Sequence, residues 1–247
     1  MFKYKKYEPI FIILVLWQGI AIFTNSEVFP SIIDIFKALY EHTFEGELIT
    51  HLLITLYRVF LTFIITMIIG IFFGILMGVY KKIDNSLDFL LILGLNIPAL
   101  VIIVICYIWF GLNEFAAILA VVLNKTPVVI VNIREGVRAV ESKYFQLAQV
   151  YQMEKKDVFY KIFLPQIYPY IMASTRLVLS LVWKIVLVVE LLGQSEGVGF
   201  AISMFFQFFD ITSIFSYTLA FVFVILLIES LILKPLDSKI NFWKNNV

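Results

Sequence analysis

Five charged residues fall within or near long apolar runs: Arg58, Lys125, Arg176, Lys184 and Glu190. A charge at the centre of a bilayer costs about 2.5–3.5 kcal/mol on insertion scales, so each needs a partner, water or an interface. Such groups can line a polar pathway for a solute, or tie helices together as an ion pair. Arg58 and Arg176 sit near predicted helix ends and are expected to snorkel towards the membrane surface. Lys184 and Glu190 lie deeper. Six residues at about 100° each place them about 240° apart around one helix. They cannot pair along one face, so any partners must come from other helices. A polar pathway and a structural anchor both fit them.

Little else is reactive. The single cysteine, Cys106, lies in an apolar run and cannot form an internal disulfide. His42 and His51 have no cysteine or carboxylate pattern at metal-ligand spacing and read as surface or helix-end residues. The chain carries no G-x-x-x-x-G-K-[ST] phosphate loop and no plausible nucleophile–base set. It is not expected to be an enzyme or to bind a cofactor.

The elements that would hold these charges are membrane helices. Of 247 residues, 62% are hydrophobic and 15% charged, against about 45–50% and 25% in soluble domains. The net charge of +1 implies no polyanionic or nucleic-acid partner. About 20 apolar residues cross the hydrocarbon layer. Six candidate spans follow: Pro9 to Phe23, Leu52 to Tyr80, Leu87 to Phe110, Phe115 to Ile133, Ile171 to Leu192 and Ile211 to Leu233. The first resembles a signal peptide, but no small-residue cleavage site follows it, and it is expected to be retained. Gly70, Gly74 and Gly78 in the second share a face at four-residue spacing, which lets helices approach closely in lipid. Asn96-Ile97-Pro98 should kink or break the third, because proline removes a backbone bond.

Basic residues assign the sides. Lys3, Lys5, Lys6, Lys81, Lys82, Arg134, Arg138, Lys143, Lys155, Lys156, Lys161, Lys234, Lys239 and Lys244 fall on one side, and Lys37 alone on the other. The segment Thr24 to Thr50 instead carries Glu27, Asp34, Glu41, Glu45 and Glu47. Both termini are expected in the cytoplasm.

The stretch Arg134 to Pro169 is a long, basic, cytoplasmic connection, yet it is not a polar linker. Leu147, Val150 and Tyr151 recur at helical spacing. A polar break, Glu154-Lys155-Lys156-Asp157, precedes a second amphipathic piece from Val158 to Phe163, which ends in Leu164-Pro165. A short helix, a turn and a second helix on the cytoplasmic face make a docking surface. By periodicity alone, an interfacial membrane helix fits equally well.

Here the chain resembles the inner-membrane permeases of binding-protein-dependent ABC importers. Their cytoplasmic loop reads E-A-A, glycine four residues on, and I-x-L-P after nine more. Ile162, Leu164 and Pro165 keep the end of that pattern; Gln146, Leu147 and Ala148 stand at E-A-A, and Gln152 at the glycine. Glutamine keeps a hydrogen-bonding head but loses the charge. If the glycine serves a left-handed turn, Gln152 costs roughly 1–2 kcal/mol there. The nitrate/sulfonate/taurine type is the nearest likeness. It is carried by Phe29-Pro30-Ser31, Leu56-Tyr57-Arg58-Val59, the glycine-rich second span, Ile97-Pro98, Trp109-Phe110-Gly111, Pro165 to Tyr170, Val188 to Gly193 and Gly197-Val198-Gly199-Phe200. Glu190 coincides with a characteristic glutamate of that type, whereas Lys125 and Lys184 have no counterpart. The likeness runs from about Phe29 to the last span.

The resemblance implies an all-α membrane protein of the type I importer permease fold, in one domain, with a coupling segment over about 134–165. It implies a second permease copy, as a homodimer with a heterodimer as the alternative. It also implies two ATPase subunits that use ATP, an extracytoplasmic binding protein that delivers a small solute, and a place in the bacterial inner membrane. Sulfonates, taurine, nitrate and thiamine precursors are the kinds of solute implied. Leu147, Ala148 and Tyr151 would make apolar contact with the ATPase, and Gln146, Gln152, Lys155 and Lys156 polar contact. An ATP-independent carrier or channel would explain the spans but not the two-piece cytoplasmic segment, and no inverted repeat is visible.

Overall fold

The computed structural model describes residues 8–24, 26 and 28–233, all of the regular structure among them helical. Lys3, Lys5, Lys6, Glu27, Lys234, Lys239 and Lys244 lie outside the described residues. The helices are α1 (Glu8–Thr24), α2 (Ile32–Phe44), α3 (Leu48–Val79), α4 (Lys81–Asn96), α5 (Ala99–Phe110), α6 (Glu114–Arg138), α7 (Ser142–Val150), α8 (Lys155–Val158), α9 (Leu164–Gly193), α10 (Val198–Gln207) and α11 (Ile211–Ile228). Three are long and apolar enough to cross a membrane, and the number rises to five if each bent pair is one span. The first predicted span is a shorter apolar helix.

The predicted break is real. α4 and α5 meet at 99°, with Pro98 capping α5. Other prolines behave differently: Pro127 and Pro169 lie inside α6 and α9.

The core lies between α3, α6 and α9. Gly70, Gly74 and Gly78 face Val129, Ile133 and Val137 of α6, and a Cβ on any of the three would lie under 3.0 Å from the opposing side chain. The pairing advances in step along both helices, so α3 and α6 run in the same direction. Close backbone approach supplies the dispersion contact that lipid, as apolar as leucine, does not reward by exclusion. On α9, Val178, Val182, Val186 and Val189 form one fully buried stripe. Gly74→Leu should therefore destabilise the bundle by about 1–3 kcal/mol or more through overpacking. Gly19→Leu, where the added atoms meet open space, is the matched control in a detergent unfolding titration. Equal midpoints for the two would contradict the stripe's packing role.

Two helices lie in connections left unassigned from sequence. α2 is begun by Ser31, whose Oγ accepts from the Asp34 N–H at 3.2 Å; this Ser-x-x-Asp cap is a readable start signal. Trp17 ties α1 to it, donating to the Pro30 carbonyl and stacking on Phe29. α10 joins α9 to α11.

Candidate functional site

Two of the five charges, Arg58 and Glu190, join one cluster built from α3, α5, α6, α9 and α10. Arg58 does not snorkel. α3 begins at Leu48 and not at Leu52, so Arg58 stands well inside the helix and is 5% exposed. Its guanidinium spends all five donors. Nε and Nη2 bond the Glu114 carboxylate at 2.8–3.0 Å. Nη1 bonds Glu190 Oε1 at 2.9 Å and the Glu196 carbonyl at 2.7 Å. Nη2 also reaches Gln194 Oε1 at 3.2 Å.

Glu190 is fully buried, and its partners do come from other elements. Its Oε2 accepts from the Gly199 N–H and lies 2.9 Å from Thr55 Oγ1. Thr55 Oγ1 accepts from the Val198 N–H at 2.8 Å, and His51 Nδ1 from the Gly197 N–H at 3.0 Å. Gly197 sits at φ 108°, and a Cβ there would collide with the Glu190 carboxylate; only glycine lets the backbone wrap the acid so closely. Tyr107 donates to the Val189 carbonyl and accepts from Gln194. Both Glu190 oxygens are engaged within the chain, and the carboxylate ties α3, α9 and α10 together. The cluster members Glu114, Thr55, His51 and Gln194 were not picked out from sequence. His51 is a helix-end residue, in the first turn of α3, but is buried and not at the surface; His42, partly buried, bonds Ser213. Three stretches far apart in the chain, around Arg58, around Tyr107 to Glu114 and from Glu190 to Gly199, converge here.

The other charges separate. Lys184 is exposed on α9. Arg176 is also exposed and lies well inside α9, not at an end, 3.9 Å from Glu229.

The 134–165 segment is built differently from its expected outline. α6 continues through Arg138, where Arg134 pairs with Asp84 and Asp88 of α4, and Arg138 with Asp84. α7 then carries Leu147 and Val150 and is capped by Tyr151; Leu147, Val150 and Tyr151 are 51%, 77% and 76% exposed. Gln146 is exposed, but Ala148 is buried within the chain. Ala148 is turned into the chain and not outward as expected, so the exposed apolar face is Leu147, Val150 and Tyr151. Lys143 is bonded to Glu141, which holds its ammonium above the usual range.

Gln152 sits at φ 49°, the left-handed position at the family's glycine. Its N–H bonds the Gln149 carbonyl at 3.1 Å, and Met153 N–H the Ala148 carbonyl at 2.9 Å. This pair is the Schellman closure of a helix end, in which glycine is the usual residue. Gln152→Gly should stabilise the turn by about 1 kcal/mol, slowing exchange of the Met153 amide roughly five-fold. Unchanged or faster exchange would count against strain at this residue.

After the turn, exposed Lys155 and Lys156 open α8. Lys161 bonds Asp157 at 2.9 Å. The second piece does not stop at Leu164-Pro165 as the sequence led us to expect. A π-helical turn, Phe159–Phe163, which includes Ile162, carries it into α9, with the Leu164 N–H bonding the Phe159 carbonyl. The wide turn re-pairs backbone groups beside Pro165, which has no N–H, so the helix runs on unbroken from Lys155 to Gly193.

Comparison with known proteins places this architecture. The family model described as binding-protein-dependent transport system inner membrane component matches residues 67–233. The putative aliphatic sulfonates transport permease protein SsuC of Bacillus subtilis (strain 168) is 31% identical over 238 residues, covering 95% of this chain and 86% of its own. The nitrate import permease protein NrtB of Synechococcus elongatus is 26% identical, covering 78% of this chain and 72% of its own. The taurine transport system permease protein TauC of Escherichia coli (strain K12) is 26% identical, covering 65% and 58%. In fold, the chain is similar to one in the inward-facing MetNI methionine ABC transporter, with a TM-score of 0.68 over 78% of this chain and 95% of the other at 14% identity.

Proposed function

The chain belongs to the binding-protein-dependent transport system inner membrane component family, and from that premise we propose how it works as the membrane permease subunit of an ABC importer. Two permease copies form the pathway, two ATPase subunits dock on the cytoplasmic side, and an extracytoplasmic protein delivers the solute. Both termini face the cytoplasm, in the bacterial inner membrane. The solute is a small organic or inorganic oxyanion of the sulfonate, taurine or nitrate kind; this reading draws on the relatives' names.

The observation that carries the coupling is the outward face of α7 and the turn after it. Leu147, Val150 and Tyr151 project from a helix outside the candidate spans, beside exposed Gln146, Gln152, Lys155 and Lys156. An apolar centre rimmed by polar groups is the composition of a protein interface. ATP binding closes the ATPases, α7 and α8 move with them, and the spans exchange inward- and outward-open arrangements. The solute shifts that equilibrium only by unequal affinity for the two states. ATP is consumed by the partners.

The test is purification of the tagged chain from its native host in mild detergent, with the accompanying proteins identified by mass spectrometry. An ATPase in near-equal amount, hydrolysing ATP in the complex, is the expected result. A stably folded chain isolated repeatedly without an ATPase would refute the coupling reading.

A further inference from the structure

Lys125 is left unused by the anchor and by the coupling face. It stands mid-way along α6, partly buried, and among the described residues no carboxylate pairs with it. Its neighbour Asn124 is 93% buried, and the side-chain Oδ1 has no hydrogen-bond partner. Both residues line one cavity of about 240 Å³, walled also by Gly94, Leu95, Ile97, Ala99 and Val128. That volume holds several waters or a small organic ion.

The cavity lies at the 99° break between α4 and α5. α5 begins here, and its first bonds run from Val101 and Ile102 back to Pro98. The N–H groups of Ala99 and Leu100 therefore have no helical acceptor, and the positive end of the α5 dipole faces the break. Broken membrane helices elsewhere present such half-helix N-termini to anionic groups of a solute. A mid-span ammonium without a counter-ion is costly, and an anion is the species that relieves it. An amide can turn either its NH₂ or its oxygen to a ligand, so Asn124 can bond the anion or its attached polar group.

We propose that this cavity is an anion-holding station on the transport path, in which the Lys125 ammonium, the Asn124 amide and the first turn of α5 receive the sulfonate or similar oxyanion head of a small solute. The proposal rests on the permease reading and adds where, within the spans, the solute's charge is held. Lys125 is then a specificity residue that favours anions over cations.

The experiment uses the purified complex in phosphatidylcholine nanodiscs, with ethanesulfonate as probe and ethylammonium as its cationic match, at constant ionic strength. Ligand-induced thermal shift reads apparent affinity. Wild type should be stabilised by ethanesulfonate and not by ethylammonium. Lys125→Gln should weaken the apparent affinity at least ten-fold, while Lys125→Arg retains it within about three-fold. Ala99→Leu, which fills the cavity without touching charge, should abolish the shift, while retained binding in Lys125→Arg shows that substitution at this position does not itself unfold the site. Unchanged ethanesulfonate affinity in Lys125→Gln and Ala99→Leu overturns the proposal. So does displacement of the probe by added phosphatidylglycerol, which would assign the site to a lipid headgroup. Lys125-dependent binding in a chain that never associates with an ATPase would sink the coupling reading and leave the site standing.

Discussion

Leu147→Asp together with Tyr151→Asp should abolish complex-stimulated ATP hydrolysis without preventing membrane insertion. Both side chains are more than half exposed, and neither belongs to the core. Their replacement therefore costs the isolated permease little. In the complex they would be central apolar contacts. Each is worth about 2 kcal/mol when truncated at a well-packed interface, so the pair should weaken docking by roughly 1,000-fold. The measurement is ATP hydrolysis by purified variant complexes beside the yield of inserted, monodisperse permease. Ala148→Asp is an informative contrast: its site is buried within the chain, so it should lower the yield itself. Normal stimulation in the double variant would remove α7 from the coupling path.

The second large effect concerns stability. Arg58→Ala leaves Glu190 and Glu114 without their cation, one of them fully buried. Removing one partner of a buried pair typically costs about 3–5 kcal/mol, enough to collapse expression of a marginally stable protein. Unfolding midpoints in a denaturing-detergent titration report it. Arg58→Met combined with Glu190→Met should cost less than the sum of the single changes, because no buried charge is then orphaned. Strict additivity of the two would show that the residues are not coupled.

How much of this was readable depended on how far apart the interacting parts lie in sequence. The break at Pro98 and the close contact at Gly70 to Gly78 follow from local rules and appear where the residues demanded them, whereas the left-handed turn at Gln152 was suggested only by the resembled motif, whose glycine stands there. Arg58 was read from its distance to a predicted helix end, and that end lay several residues earlier than the apolar run indicated. The partners that make Arg58 an anchor sit at 114, 190, 194 and 196, and no periodicity links them. Glu114 was hidden as the first residue of α6, just beyond the apolar stretch; the cap at Asn113, whose side chain accepts from the Ala116 N–H, is the signal that extends the helix over it. Ala148 shows the opposite limit. Its place in a resembled motif suggested contact with a partner, but burial is a property of the folded chain and cannot be read from a motif.

The unbroken helix from Lys155 to Gly193 has a mechanical consequence. At about 1.5 Å per residue it is a rod of roughly 58 Å, with the exposed lysines at one end and Glu190 near the other. A tilt of about 5° about one end of a rod that long displaces the opposite end by roughly 5 Å. The Arg58 cluster grips this rod at Glu190, close to the end remote from Lys155. The wide turn at Phe159–Phe163 lies near the Lys155 end of the same rod, so a bend at that turn would shift the lysines and leave the length packed around Glu190 in place.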